Sequence, residues 1–157
     1  MLRRFNTHVA AVAEFGLWLG FLGLILTVGL QVLARTILKL PLIWTPDLAQ
    51  LLFSWLIFVG AAVALRRNAH YTVDMLPPSW RALNVPLAFF GMLVTALVVY
   101  LLVVNGYALV SLRQSGTIQS LGISRMWLFL PIPVSGILMA LFSFETLLDM
   151  LTGKSAR

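Results

Sequence analysis

Four runs of this sequence carry no Asp, Glu, Lys or Arg: residues 15–34, 48–65, 82–112 and 126–144. A helix needs about 20 apolar residues to cross roughly 30 Å of hydrocarbon, so each run is long enough for one crossing. The third is one long span with polar shoulders rather than two. Within the runs the apolar residues are continuous instead of alternating, which excludes a membrane β-barrel and leaves helices, the other backbone that satisfies its own hydrogen bonds in lipid. The pattern predicts an all-α integral membrane protein, a single transmembrane domain over residues 1–157. Its four helices span approximately 15–36, 47–66, 84–110 and 126–149. The first run follows Arg3 and Arg4 but exceeds the apolar core of a signal peptide, with no small-residue cleavage site before Leu38, so it is expected to remain as a span.

The connections are short. Between the first two helices lie Pro41, Trp44 and Pro46 with Leu40, Leu42 and Ile43 among them, which predicts an interfacial segment with the Trp ring at headgroup depth. Asp47 is placed to cap the second helix and to favour its positive dipole end. The third connection, 113–125, is rich in Ser and Gly and is expected to be irregular. Pro131 and Pro133 fall early in the fourth span, where a missing backbone donor matters least. Small residues recur at helical spacing: Gly16, Gly20 and Gly23 in the first span, Gly60, Ala61 and Ala64 in the second, Gly136 and Ala140 in the fourth. Such faces predict close helix packing. The Leu, Val and Phe surface of the third span, 87–109, exceeds what four helices bury among themselves and faces lipid or another membrane subunit.

Charge bears on topology. With 61% hydrophobic and 10% charged residues the chain has too little polar surface to be wetted all round. Its net charge of +6 comes from basic residues scattered at helix ends, with no stripe that would follow a phosphate backbone, so nucleic acid is not an expected partner. Arg3, Arg4, Arg66, Arg67, Arg81, Lys154 and Arg157 fall on the side of both termini, and Arg35, Lys39, Arg113 and Arg125 on the other. The positive-inside rule therefore predicts both termini in the cytoplasm. There is no cysteine, hence no disulfide or thiolate site.

Candidate chemistry is sparse. Intramembrane charge is the usual pointer to function, yet Glu14, Glu145 and Asp149 lie at span ends, about ten residues short of the midplane. Glu14 is expected to be a boundary carboxylate near Arg or headgroups; as a proton-coupling acid it would define a rival reading, a self-sufficient four-helix transporter. Thr27, Gln31 and Arg35 share one helix face, either a polar seam against a neighbouring helix or part of a solute path. Arg35 is also a candidate ion-pair partner for Asp47. A second rival, the membrane anchor of an oxidoreductase, would need axial ligands facing each other inside the bundle. His8 precedes the first span and His70 lies in a loop. No metal, haem or other cofactor is expected, and nothing sets Ser, His and Asp together as a catalytic triad within the membrane.

Residues 44–74, W-T-P-D-L-A-Q-L-L-F-S-W-L-I-F-V-G-A-A-V-A-L-R-R-N-A-H-Y-T-V-D, resemble the small membrane subunit (DctQ-like) of TRAP transporters, the tripartite ATP-independent periplasmic transporters. The matching positions are Trp44, Thr45, Asp47, Trp55, Phe58, Gly60, Ala61, Ala62, Arg66, His70 and Asp74, with Arg35 closing the first helix and Pro133 opening the fourth. Pro46 departs from the family, which usually has an acid there, so the local acidic charge is halved. The resemblance covers nearly the whole chain. It implies a non-enzymatic small permease subunit in the bacterial inner membrane, part of a sodium-coupled importer of organic acids. The chain would scaffold a large multi-span subunit and help dock a periplasmic solute-binding protein. On this reading Arg35, Lys39, Trp44, Asp47, Arg113 and Arg125 form the subunit or binding-protein interface. Arg66, Arg67, His70 and Asp74 would anchor the cytoplasmic edge to phospholipid headgroups.

Overall fold

The computed structural model describes residues 2–68 and 81–151. Helix α1 (Leu2–Leu33) runs into one π-helical turn (Ala34–Leu38), followed by α2 (Trp44–Asn68) and α3 (Arg81–Arg113). A two-stranded antiparallel hairpin, β1 (Thr117–Ile118) and β2 (Ile123–Ser124), leads to the short α4 (Met126–Phe129) and then α5 (Pro131–Leu151). Four helical segments are long and apolar enough to cross a membrane: Asn6–Leu38, Trp44–Arg67, Phe90–Arg113 and Met126–Glu145.

The helices form a row. α1 packs along α2, α2 along α5, and α5 along α3, while α3 makes no comparable contact with α1 or α2. Only the two inner helices have neighbours on both sides. The buried apolar interior is accordingly small: Ala10, Val59, Ala62, Val63, Val110 and Phe142 belong to it, whereas Trp18, Tyr107 and Leu112 are 74%, 71% and 75% exposed.

The two seams use glycine differently. On α3 and α5, Gly106 and Gly136 form reciprocal notches. A Cβ on Gly106 would lie 2.9 Å from Ile132 Cγ2 and 3.0 Å from the Pro133 nitrogen, and one on Gly136 would lie 2.8 Å from Val103 Cγ2. Backbone approaches backbone here, and dispersion replaces the hydrophobic effect that lipid does not supply. On α1, Gly20 and Gly23 receive Leu56 and Leu52 at ordinary contact distance, 3.5 Å from the would-be Cβ. Gly16 and Gly60 meet nothing within 4 Å, so the expected small-residue contact does not form at these two positions. Leu at 52 and 56 already fills the interhelical space one turn away.

The ends of the elements follow from local chemistry. α1 stops because Leu40 precedes Pro41, a position that disfavours helical backbone. The chain reverses at Lys39 in a left-handed conformation (φ 54°, ψ 24°), and the Ala34 carbonyl accepts from both the Lys39 and Leu40 N–H groups. The first turn of α2 holds Pro46, whose missing N–H would have had no helical partner there. Asp47 lies inside this first turn, three residues past the start of α2, and not at the cap. The buried Thr45 instead turns its hydroxyl back to the Leu42 carbonyl at 2.9 Å.

The third connection is ordered rather than irregular. Its Ser and Gly residues satisfy the backbone locally: Gly122 takes positive φ (68°) and donates to Ile118 O at 2.9 Å. Ser124 Oγ donates to Gln114 O at 2.9 Å and accepts from Met126 N–H at 3.2 Å, closing the hairpin and opening α4.

Candidate functional site

Polar side chains gather at the two ends of the helix row. At the end carrying the interhelical hairpin, Ser120 at the hairpin tip donates to the carboxylate of Asp47. That bond fastens the third connection to the first turn of α2, where the helix dipole also favours the Asp charge. It takes up the carboxylate that sequence had offered to Arg35; among the described residues no ion pair joins Arg35 to Asp47. Arg35, Lys39, Arg113 and Arg125 are exposed at this same end, with Trp44 37% exposed among them. The Arg113 guanidinium lies 5.9 Å from the centroid of the Phe129 ring. The topology brings all six predicted interface residues to one end, as four exposed cations around one tied carboxylate.

Just inside that end, α2 completes the hydrogen bonding of α4, whose carbonyls the start of α5 leaves open. Pro131 has no N–H to give the Trp127 carbonyl, its partner one helical turn earlier. The indole N–H of Trp55 donates to that carbonyl at 3.2 Å, and Ser54 Oγ donates to the adjacent Leu128 carbonyl at 2.8 Å. In a bilayer a freed carbonyl costs several kcal/mol unless a neighbour answers it. The two residues were legible only as a family pattern (Trp55) or not at all (Ser54), although Pro131 announces an acceptor in need of a donor.

At the opposite end, where both termini lie, the ties join α1, α2 and α5. Asn6 is fully buried, donating from Nδ2 to Glu145 Oε2 at 2.8 Å and to Leu141 O at 3.4 Å, and its Oδ1 has no partner among the described residues. Arg66 donates to Thr7 Oγ1 at 3.1 Å and lies 5.3 Å from the Phe142 ring centroid. Arg67 pairs with Glu14 at 2.8 Å, at the mouth of a lateral groove between α1 and α2 lined by Trp18, Phe21, Leu56 and Gly60. The groove is open, and Glu14 is held as one half of a surface ion pair. Asn6 and Phe142 were not among the predicted residues, because their partners lie more than 70 positions away in sequence. His70 and Asp74 lie outside the described residues.

The polar seam expected on α1 does not link helices at Thr27. That residue is 7% exposed, but its hydroxyl returns to Gly23 O of its own helix at 2.7 Å. Among the described residues no group of three His, Asp or Glu could hold a metal ion.

The family model for tripartite ATP-independent periplasmic transporters, DctQ component, matches residues 24–153. The chain is 26% identical over 155 residues to the sialic acid TRAP transporter small permease protein SiaQ of Vibrio cholerae, covering 96% of this chain and 86% of that one. It is 33% identical over 148 residues to the sialic acid TRAP transporter permease protein SiaT of Haemophilus influenzae, covering 88% of this chain but only 23% of SiaT. A segment like this one is therefore one part of a much longer permease polypeptide in that relative. The chain itself, with four membrane-spanning helices and a family match across most of its length, belongs to the DctQ component family of TRAP transporters and is a multi-pass protein of the inner membrane.

Proposed function

We propose that this chain is the non-catalytic small permease subunit of a sodium-coupled, binding-protein-dependent TRAP importer of organic acids, sialic acids being the first class to try. It acts as a scaffold for a large transport subunit. One observation carries this reading: the helices stand in a row with both flanking helices uncovered, while Asn6, Ser54 and Trp55 tie helix to helix within it. A solute path would need polar groups lining an enclosed route, whereas the groove between α1 and α2 is open and lined mainly by Leu17, Trp18, Phe21, Leu56 and Val63. A scaffold needs breadth, rigidity and free apolar flanks. The covalent continuity of the matching segment in SiaT supports a large partner, since fusion keeps two interacting parts together.

Both termini are proposed to be cytoplasmic, which places Arg35, Lys39, Trp44, Asp47, Arg113 and Arg125 at the periplasmic surface for docking an acidic face of the binding protein. Arg66 and Arg67 then sit at the cytoplasmic headgroup level, where each basic residue contributes up to about 1 kcal/mol with anionic lipid; His70 and Asp74 are proposed to flank them. The test is purification from native membranes followed by liposome uptake. A larger polytopic partner should copurify, and uptake should require that partner, the binding protein and a sodium gradient. Transport by the purified chain alone would overturn the reading. Charge reversal of Arg35 together with Arg113 should slow uptake while leaving the complex intact; unchanged uptake would remove docking from this surface.

A further inference from the structure

The groove between α1 and α2 begins at a charge pair and stops halfway across the membrane. Glu14 is the last charged residue before the charge-free run of α1, and Arg66 and Arg67 directly follow that of α2, so the Glu14–Arg67 pair stands at headgroup level. From there the groove runs inward, walled by Leu17, Trp18 and Phe21 on one side and by Ala64, Gly60 and Leu56 on the other. It is open at Gly60, where a Cβ would meet nothing within 4 Å. It ends where the helices close, with Leu56 3.5 Å from the position of a Cβ on Gly20. Phe21 lies seven residues from Glu14 and Leu56 eleven from Arg67. At 1.5 Å per residue these are depths of about 10 and 16 Å along the two helices. Half of a hydrocarbon layer roughly 30 Å thick is about 15 Å.

That length separates two kinds of occupant. A membrane-spanning helix seats along the full thickness, whereas an acyl chain belongs to one leaflet and ends at the midplane. The mouth of the groove carries the chemistry for the rest of a lipid. Arg67 directs both Nε, at 3.2 Å, and Nη2, at 2.8 Å, to a single oxygen of Glu14, Oε1. Arg67 Nη1 and the second carboxylate oxygen, Glu14 Oε2, have no partner among the described residues. A cationic donor and an anionic acceptor thus stand side by side and open. A headgroup phosphate accepts from a guanidinium and a primary ammonium donates to a carboxylate, each through a charge-assisted hydrogen bond. A trimethylammonium has no N–H for Glu14, and a headgroup without an amine has no cation for it.

We infer that the α1–α2 groove is a binding site for one phospholipid whose headgroup joins a phosphate to a primary ammonium, as in phosphatidylethanolamine. The phosphate sits on Arg67, the ammonium on Glu14, and one acyl chain fills the groove past Gly60 down to Leu56. The inference rests on the headgroup-level placement of Arg67 proposed above and not on the scaffold role. It goes further than attraction to an anionic surface, because it calls on both charges of one headgroup and on a groove one leaflet deep. The acyl chain also supplies the dispersion contacts that the helices do not make with each other at Gly60.

Native mass spectrometry of the full chain reads the headgroup, after lipid is stripped in detergent and phosphatidylethanolamine, phosphatidylcholine or phosphatidylglycerol is added back at equal concentration. Phosphatidylethanolamine should be retained roughly two- to tenfold better than either of the others, the range for one added hydrogen bond. Glu14→Gln should abolish that preference, and Arg67→Gln should lower retention of all three. The ion pair is exposed, so both variants should keep their helicity and elution. Gly60→Leu places its side chain in open space, and should fill the groove and reduce retention whatever the headgroup. Equal retention of the three lipids, or a preference that survives Glu14→Gln, would overturn the headgroup assignment; retention untouched by Gly60→Leu would overturn the groove. Better retention of phosphatidylglycerol would overturn the site while leaving Arg67 at headgroup level. A photo-crosslinking residue at the exposed position 64 should capture phospholipid in native membranes. Capture of a protein helix there, from the large subunit or a second copy, would overturn lipid as the occupant, and capture of neither would remove the site and the headgroup-level placement together.

Discussion

Trp55 and Ser120 illustrate how single side chains hold this protein together through partners far along the chain. Trp55 answers a carbonyl that Pro131 cannot reach, so the two residues should be energetically coupled. Trp55→Phe is expected to lower stability by about 1–3 kcal/mol, the cost of an orphaned acceptor. In a Pro131→Ala background the new N–H serves Trp127 from within the helix, and the same substitution should cost much less. A double-mutant cycle in detergent unfolding checks this, and additive losses would remove the explanation. Ser120→Ala should leave the helices intact but loosen the hairpin from α2, because it leaves the Asp47 carboxylate without its donor. Faster amide exchange across 117–124, with α2 and α5 unchanged, is the expected signature.

At the scale of elements, the glycines divide by what stands opposite them. Behind the Cγ2 atoms of Ile132 and Val103, Gly106 and Gly136 meet the backbone nitrogens of Pro133 and Val103 at 3.0 and 3.1 Å, which cannot rotate away. Gly106→Leu or Gly136→Leu should therefore separate α3 from α5, costing about 1–3 kcal/mol or more as overpacking. Gly16→Ala and Gly60→Ala meet open space and should be neutral or stabilising by up to about 1 kcal/mol, as helix propensity favours Ala. Thermal unfolding of the four variants tests the division; equal losses in both pairs would mean that the seam does not lie where these contacts put it. Small-residue spacing in sequence pointed to Gly16, Gly60 and Gly136 alike. It missed Gly106, since a lone glycine in a Leu/Val run has no periodic partner on its own helix.

At the scale of the whole molecule, the row arrangement implies unequal stability. α2 and α5 are supported on both sides, while α1 and α3 have one principal neighbour each. In the isolated chain, amide exchange should be slowest in α2 and α5 and faster towards the middle of α3. Addition of the large subunit should slow exchange in one flanking helix, α1 or α3, more than in α2, because a partner that binds only the packed form stabilises what it covers. Protection gained equally by all four helices would argue against a one-sided interface. The ion pair of Glu14 and Arg67 contributes little to this balance: its side chains are 35% and 70% exposed, and such pairs are typically worth below about 1 kcal/mol.

Span number and type were legible in sequence because lipid imposes a single strong rule: charge-free runs of sufficient length must be helices, each satisfying its own backbone. The same rule made the emptiness of the span interiors readable, with Glu14, Glu145 and the histidines all at the margins. The motif around Trp44, Asp47 and Trp55 was enough to suggest the family. Helix order was beyond its reach, since nearly uniform apolar faces carry no periodic signal for which neighbour they meet. Only the folded chain could pair residues more than 70 positions apart: Asn6 with Glu145, Asp47 with Ser120, Trp55 with the carbonyl freed by Pro131. These ties depend on donors and acceptors meeting across helices, and that geometry exists only once the row has assembled.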